Sequence, residues 1–408
     1  MSLSTLPLSY CANVHPASTL DDTIQGIHTY TSPLQKKLEQ PIAAGLWLAS
    51  SIIDEIEQTP GAIKKLQLAL KQENLVCYTM NTFPYGNFHS DVVKDQVYIP
   101  NWSTRKRLEY TLKSARLLAE LLPPGVEGSL STVPLGFKPH MTIGQIGFQE
   151  ACITHLLELA RELDDLHDET GQVVRLAIEP EPYCVLETTA ETIAFFIELF
   201  KAADEQGLSE QVRRHIGVCY DVCHQAVEFE DVTASIKKLQ TAGIRINKVH
   251  ITNAVELRDP LKHPAAVEAL KYFVEKRYLH QTFFKLRNKT IEHVVDLTPE
   301  VFASYEARWS EIESARVHYH VPIFHEQIGP LYTTRKELRQ ALGAVFELEY
   351  APHLEIETYT WGVLPDQSGS MPAKPDLVDG MSQEFLTTYQ LLKQAAIPKT
   401  LNIPIFNC

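Results

Sequence analysis

Short apolar runs alternate with amphipathic stretches along most of the chain, and the two periods predict strand and helix in turn. Leu8 to His15, Leu46 to Ala49, Leu75 to Met80 and Ser129 to Val133 read as the first four strands. Arg175 to Glu181, His215 to Tyr220, Ile246 to Ile251 and Leu354 to Tyr359 read as four more. Between them lie helical patterns at Thr19 to Lys37, Ser50 to Gln72, Arg105 to Leu122, His155 to Leu166, Thr189 to Ala203, Val232 to Ala242 and Pro264 to Val274. Met381 to Ala395 would close the chain. Strand and helix alternating in this way over 408 residues predict an α/β fold, a closed (β/α)8 TIM barrel forming one domain.

One region interrupts the alternation. Residues 252–350 are far longer than the usual connection of roughly 2 to 6 residues. They hold a basic run from Glu275 to Lys289, a predicted helix over Thr298 to Ser314, and the segment RVHYHVPIFHEQIGP (Arg316 to Pro330). The reading is an elaborated loop, a lid over the C-terminal face of the barrel, with residues 362–408 as a closing segment. Long insertions after barrel strands are where this fold places specificity.

The strand ends carry the candidate chemistry. Glu179, Asp221, His250 and Glu357 each close a strand, at the opposite parity to apolar neighbours such as Leu176 and Ile178 or Leu354 and Ile356. Parity sends the four ionisable groups into the barrel and the apolar ones towards the helices. Any one alone is an ordinary polar residue at a wet rim. Three carboxylates converging with an imidazole demand a raised pKa or a cation among them, and the set suits Mn2+, Zn2+, Co2+ or Mg2+. Lys248 and Glu355 lie two residues before proposed ligands, so they point inward one layer deeper, where an unpaired charge would be costly. They are expected to pair.

Composition narrows the function without naming it. Fifty-one acidic against 37 basic residues give a formal charge of −14, which disfavours nucleic acid and anionic lipid as partners. No apolar run reaches the roughly 18 to 20 residues of a membrane span, and the first residues carry no evident secretory signal. Seven scattered cysteines without a CxxC pair suggest reduced thiols, so a cytoplasmic location is expected. No GxGxxG, GxxxxGK[ST] or GxSxG is present, so no dinucleotide, P-loop or nucleophile-elbow site is indicated.

Glu179, the box from Asp221 to His224, His250 and Glu357 together resemble the xylose isomerase-like TIM-barrel superfamily, which includes sugar isomerases and epimerases, inosose dehydratases and the endonuclease IV type of nuclease. The resemblance implies that Glu179, Asp221, His250 and Glu357 bind a divalent metal, with Glu179 and Glu357 also acting in catalysis. His224 would lie beside the substrate; the bland alternative is a helix cap or a solvated loop residue. His318 and His320 share strand parity, and with His325 they could extend the site to a second metal or to substrate. The endonuclease IV type has Asp where His318 stands here. Asn81, His89 and Glu181 are candidates for a substrate loop, and the loop from Asn81 to His89 equally reads as a plain turn. Asn13 and His15 share that ambiguity.

Within the superfamily, the segments LSYCANVH, NTFPYGNFH with VYIPNW, STVPLGF, IEPEP and EIETYTW resemble the bacterial EboE family. That family is tied by its gene cluster to metabolite traffic beside a membrane-bound prenyltransferase. The resemblance implies a metal-dependent isomerase or epimerase acting on a hydroxy-carbonyl or polyhydroxylated small molecule, with other proteins of such a cluster as partners. Two alternatives stand beside it: a phosphoester hydrolase of endonuclease IV type on a small substrate, and a metal-holding carrier with little turnover.

Overall fold

A computed structural model describes residues 5–141, 147–365 and 376–396. Eight parallel strands close into a barrel. They are β1 (Ser9–Cys11), β2 (Ala43–Trp47), β3 (Thr79–Asn81), β4 (Gly128–Thr132), β5 (Val174–Ile178), β6 (Ile216–Asp221), β7 (Ile246–Ile251) and, after the insertion, β14 (His353–Ile356). Each pairs with its sequence neighbours, and β14 closes the ring between β7 and β1. Leu176, Ile178, Val218, Val249 and Ile356 face the helix layer and are buried, as their parity requires. The register sets Asp221 beside His250 and His250 beside Glu355, so ionisable side chains from neighbouring strands reach the same level.

Local chemistry sets the helix ends. Thr188 and Glu191 form a reciprocal capping box on the helix Thr189–Gln206. Ser50 to Gln72 is two helices, Ser50–Gln58 and Ala62–Gln72, because Gly61 takes a left-handed φ of 82° between them. The pattern over Thr19 to Lys37 forms a helix whose middle, Ile27–Thr31, widens to π geometry. The helix expected over His155 to Leu166 runs from Phe148 to Thr170. Strand β2 begins at Ala43, three residues before the expected start, and β3 is confined to Thr79–Asn81.

The insertion differs most from expectation. It is a six-stranded antiparallel sheet made of β8 (Val255–Arg258), β9 (Thr282–Leu286), β10 (Ile291–Val294), β11 (Ile312–Val317), β12 (Gln327–Ile328) and β13 (Leu331–Thr333), in the order β10-β9-β11-β8-β13-β12. Alternate residues Val255, Leu257, Phe284, Ala315 and Val317 bury a core separate from that of the barrel. The helix expected over Thr298 to Ser314 is Pro299–Glu306, and the chain then turns into β11. Pro264–Leu270 packs on this sheet rather than on the barrel. The barrel helix before β14 is Arg335–Val345, whose Leu338, Ala341 and Leu342 join the barrel core. Residues 335–350 therefore belong to the barrel, and the insertion ends before them.

The closing helix Leu377–Ala396 is tied to the barrel mouth by Glu384. This buried carboxylate accepts bonds from Thr358 Oγ1 (2.7 Å), the Ile323 amide (3.2 Å) and Trp361 Nε1 (3.3 Å). Burial pushes its pKa up to about 7, while those bonds pull it down. A folded value above the ordinary 4.5 contributes stability that is full below pH 4.5 and lost as pH rises through 7. E384Q lacks this loss, so its stability relative to wild type is expected to rise by roughly 3 kcal/mol between pH 4.5 and pH 8. Urea denaturation at the two pH values reads the difference, and parallel behaviour of the two proteins would refute it.

Candidate metal centre

Four strand ends build the floor of a cleft at the C-terminal mouth of the barrel. Glu179 follows β5, Asp221 ends β6, His250 lies in β7 and Glu357 follows β14; all four are buried. One donor atom from each lies within 4.8 Å of the others. His250 Nδ1 is central, 2.9 Å from Glu179 Oε1, 3.1 Å from Glu357 Oε2 and 3.6 Å from Asp221 Oδ2. Its Nε2 sits 3.2 Å from Glu355 Oε2, so both ring nitrogens meet carboxylates; a ring that keeps its proton on Nε2, donated to Glu355, would turn the Nδ1 lone pair to a cation held among the other three.

Each carboxylate is held by a different device. Asp221 Oδ1 caps the helix Val222–Val227 by accepting from the His224 amide (3.1 Å), and also accepts from Thr252 Oγ1 (2.7 Å). Glu357 Oε1 accepts from Asn13 Nδ2 and Asn81 Nδ2, both at 2.8 Å. Asp221 Oδ2 and Glu179 Oε2 are buried without a hydrogen-bond partner. Burial alone would raise Asp221 and Glu357. The imidazoles of His224, His320 and His250 hold Asp221 well below the ordinary carboxylate range, and His250 and His320 hold Glu357 at about 2. Three carboxylates and one correctly turned imidazole, with two bare oxygens, fit a divalent cation.

A second cluster adjoins the first. His224 Nδ1 donates to the Pro180 carbonyl (3.0 Å), His318 Nδ1 to Gln281 Oε1 (2.8 Å) and His320 Nδ1 to the Glu357 carbonyl (2.8 Å). These partners leave Nε2 of each ring as the lone-pair atom. The Nε2 atoms of His318 and His320 face each other at 3.3 Å, and Asp221 Oδ2 lies 3.9 Å from His320 Nε2 and 4.0 Å from His224 Nε2. Asp221, His224 and His320 form one group able to hold a cation, and Cys223, His318 and His320 another. Burial lowers the His318 pKa, and the neighbouring rings of His224 and His320 lower it further. Burial likewise pulls His224 down, yet Asp221, Glu181 and Glu179 more than offset it and its pKa is raised. A cation would feel the same field.

Of the remaining sequence candidates, Glu181 reaches the cleft and is buried there, accepting from Tyr98 Oη at 2.7 Å. Burial raises its pKa to about 7. Asn81 is the last residue of β3 and supports Glu357 from the floor, so it is not part of a loop. Asn13 does the same from the end of β1. His89 and His325 are not brought to the site. His89 packs edge-on against Trp47 and Phe88, and His325 against Phe324 with ring centroids 4.3 Å apart. His15 bonds Tyr10 and stacks on Tyr30.

The cleft opens to solvent and encloses a cavity of about 60 Å³. Phe83, Phe88, Tyr98, Tyr278 and Tyr359 rise above the polar floor. Sequence reading missed Cys219, which groups with Glu179 and His250, and Thr252 beside Asp221. Both lie two residues from a candidate ligand at the same strand parity, the signal that could have found them. Tyr98, Gln281 and Tyr359 left no such signal. Replacing Asn81 by Ala is expected to weaken binding of Mn2+ about tenfold by freeing Glu357. Equilibrium dialysis measures this, and unchanged affinity would show that Asn81 does not hold a ligand.

No family model matches the chain, and no curated protein matches it. Among solved structures, a xylose isomerase-like TIM-barrel protein from Mycobacterium smegmatis, in complex with magnesium, is similar at 12% identity. The match covers 97% of this chain and 99% of that one, with a TM-score of 0.51. IolI with a bound zinc atom (11% identity, 96% and 99% covered, TM-score 0.48) and a D-tagatose 3-epimerase-like protein (13%, 95% and 99%, 0.46) are also similar. The closed eight-stranded barrel and the first of these likenesses together give the chain the xylose isomerase-like TIM-barrel fold.

Proposed function

We propose that the protein is a divalent-metal-dependent enzyme that moves a proton on a small, uncharged hydroxy-carbonyl compound, in the manner of a sugar isomerase or epimerase. The observation that carries this reading is the convergence of Glu179, Asp221, His250 and Glu357 beneath an open cleft. A divalent cation held by these four would supply the positive charge that makes a proton between two oxygen-bearing carbons removable. Glu179 takes that proton, because its Oε2 is buried, unpartnered and part of a side chain that lines the cleft. The protonated Glu179 then returns the proton to the neighbouring carbon, while Glu357, fixed through Oε1 by two amides, is held as a carboxylate that would ligate the cation. His224, with Nδ1 anchored on Pro180 and its pKa raised by Asp221, Glu181 and Glu179, uses Nε2–H of the protonated ring to stabilise charge on the carbonyl oxygen.

The charge of the lining argues for an uncharged substrate. Lys94 is the sole lysine or arginine among the lining residues. Its Nζ already meets the Glu275 carbonyl (3.2 Å), the Tyr278 carbonyl (2.7 Å) and Asp296 Oδ2 (2.7 Å), which use its three donors. A phosphate or carboxylate on the substrate would find no free protein cation there. A second reading, hydrolysis of a phosphoester, draws on the His224, His318 and His320 cluster as a second metal site. The resemblance to EboE supports a narrower proposal, that the substrate belongs to secondary metabolism and that proteins of a metabolite-traffic gene cluster are partners.

Metal-free protein reloaded with Mn2+ is expected to exchange a carbon-bound proton of a ketose or inosose with deuterated water, followed by mass spectrometry. E179Q is expected to lower that rate by about 10²- to 10⁴-fold. Exchange with none of these compounds would overturn the isomerase reading, and hydrolysis of sugar phosphates would select the second. Zn2+ titration separates one cation from two: more than one bound equivalent is expected if the imidazole cluster is a site, and a single equivalent would remove it.

A further inference from the structure

Directly beneath the four floor residues, the barrel interior carries an ion pair. Lys248 and Glu355 are fully buried, with Nζ 2.5 Å from Glu355 Oε2. Barrel interiors are ordinarily filled with branched apolar side chains. A buried pair of this kind is often no more stabilising than apolar residues of the same volume, so stability does not account for it. The surroundings are shaped to keep it. Ser9 Oγ donates to Glu355 Oε1 (3.0 Å), and Lys248 Nζ meets Ser131 Oγ (3.2 Å). At Gly45 a Cβ would come within 1.7 Å of Glu355 Oε1, so β2, on the far side of β1, leaves room for the carboxylate by having no side chain there. Glu355 Oε2 is also the atom 3.2 Å from His250 Nε2, the one ring nitrogen turned away from the cluster, and so offers that nitrogen an acceptor.

We infer that Glu355 is a positioning residue that turns His250 Nδ1 to the cation, and that its carboxylate offsets the Lys248 ammonium, which would otherwise repel the cation. The inference rests on the metal reading above. Glu179, Asp221, Glu355 and Glu357 carry four negative charges against the one of Lys248, leaving three to meet a divalent cation. Removing the charge of Glu355 alone sets an uncompensated ammonium one layer below the cation, where little water screens it. Removing both charges restores the balance.

Mn2+ affinity, measured by competition with a chelator, reads this without turnover. E355Q keeps an acceptor for His250 Nε2–H but loses the charge, and is expected to bind Mn2+ at least tenfold more weakly than wild type. E355Q with K248M is expected to return to within about threefold of wild type. K248M alone, which removes the ammonium and keeps the acceptor, is expected to bind no more weakly than wild type. If circular dichroism shows that E355Q does not fold, K248M decides: weaker binding by K248M overturns the inference. Equal affinity in wild type, E355Q and the double variant would also overturn it and leave the metal reading intact. No Mn2+ binding by folded wild type would overturn the metal reading itself.

Discussion

Four buried carboxylates crowd around one imidazole, and the rest of the mouth is arranged to make that tolerable. Like charges in a low dielectric repel strongly, so each needs a compensating donor or cation. Asp221 uses a helix N-terminus, Glu357 uses two amides, Glu355 uses an ammonium, and Glu179 keeps one oxygen without any partner. The donors come from β1, β3, β6 and β7, so the closed ring of strands is what lets so many small contributions meet at one point. An open sheet with the same residues could not bring β1 next to β14.

The barrel and its floor were legible because a strand has a strict period of two. Parity alone sent Glu179, Asp221, His250 and Glu357 inward, and the same parity sent Lys248 and Glu355 to one layer below, where they pair. The supporting residues Asn13 and Asn81 were visible only as ambiguous loop candidates. Their strands are three residues long, too short to show a period. The insertion was harder still. Its strands pack antiparallel on a core of their own, and the helix expected over Thr298 to Ser314 overlaps Ile312 to Ser314, the first half of β11.

His318 and His320 show what tertiary structure adds to a sequence reading. Their alternation placed them on one face, but which partner each Nδ1 finds depends on Gln281, far along the insertion, and on the Glu357 carbonyl of the barrel. His325, in the same segment, has an equally suggestive sequence context and lies tilted against Phe324 outside the cleft. Spacing selects the face, and only packing selects the partner.

The seam between the two cores has a consequence for how the cleft can vary. The floor residues all belong to the barrel, whereas Tyr278, Gln281, His318 and His320 come from the insertion, which Arg316 fastens by an ion pair to Glu337 and by a bond to the Ala226 carbonyl. The wall of the cleft can therefore be remodelled by changes within a sheet that has its own interior, while the arrangement beneath it is left undisturbed. Such a division separates what is recognised from what is done to it.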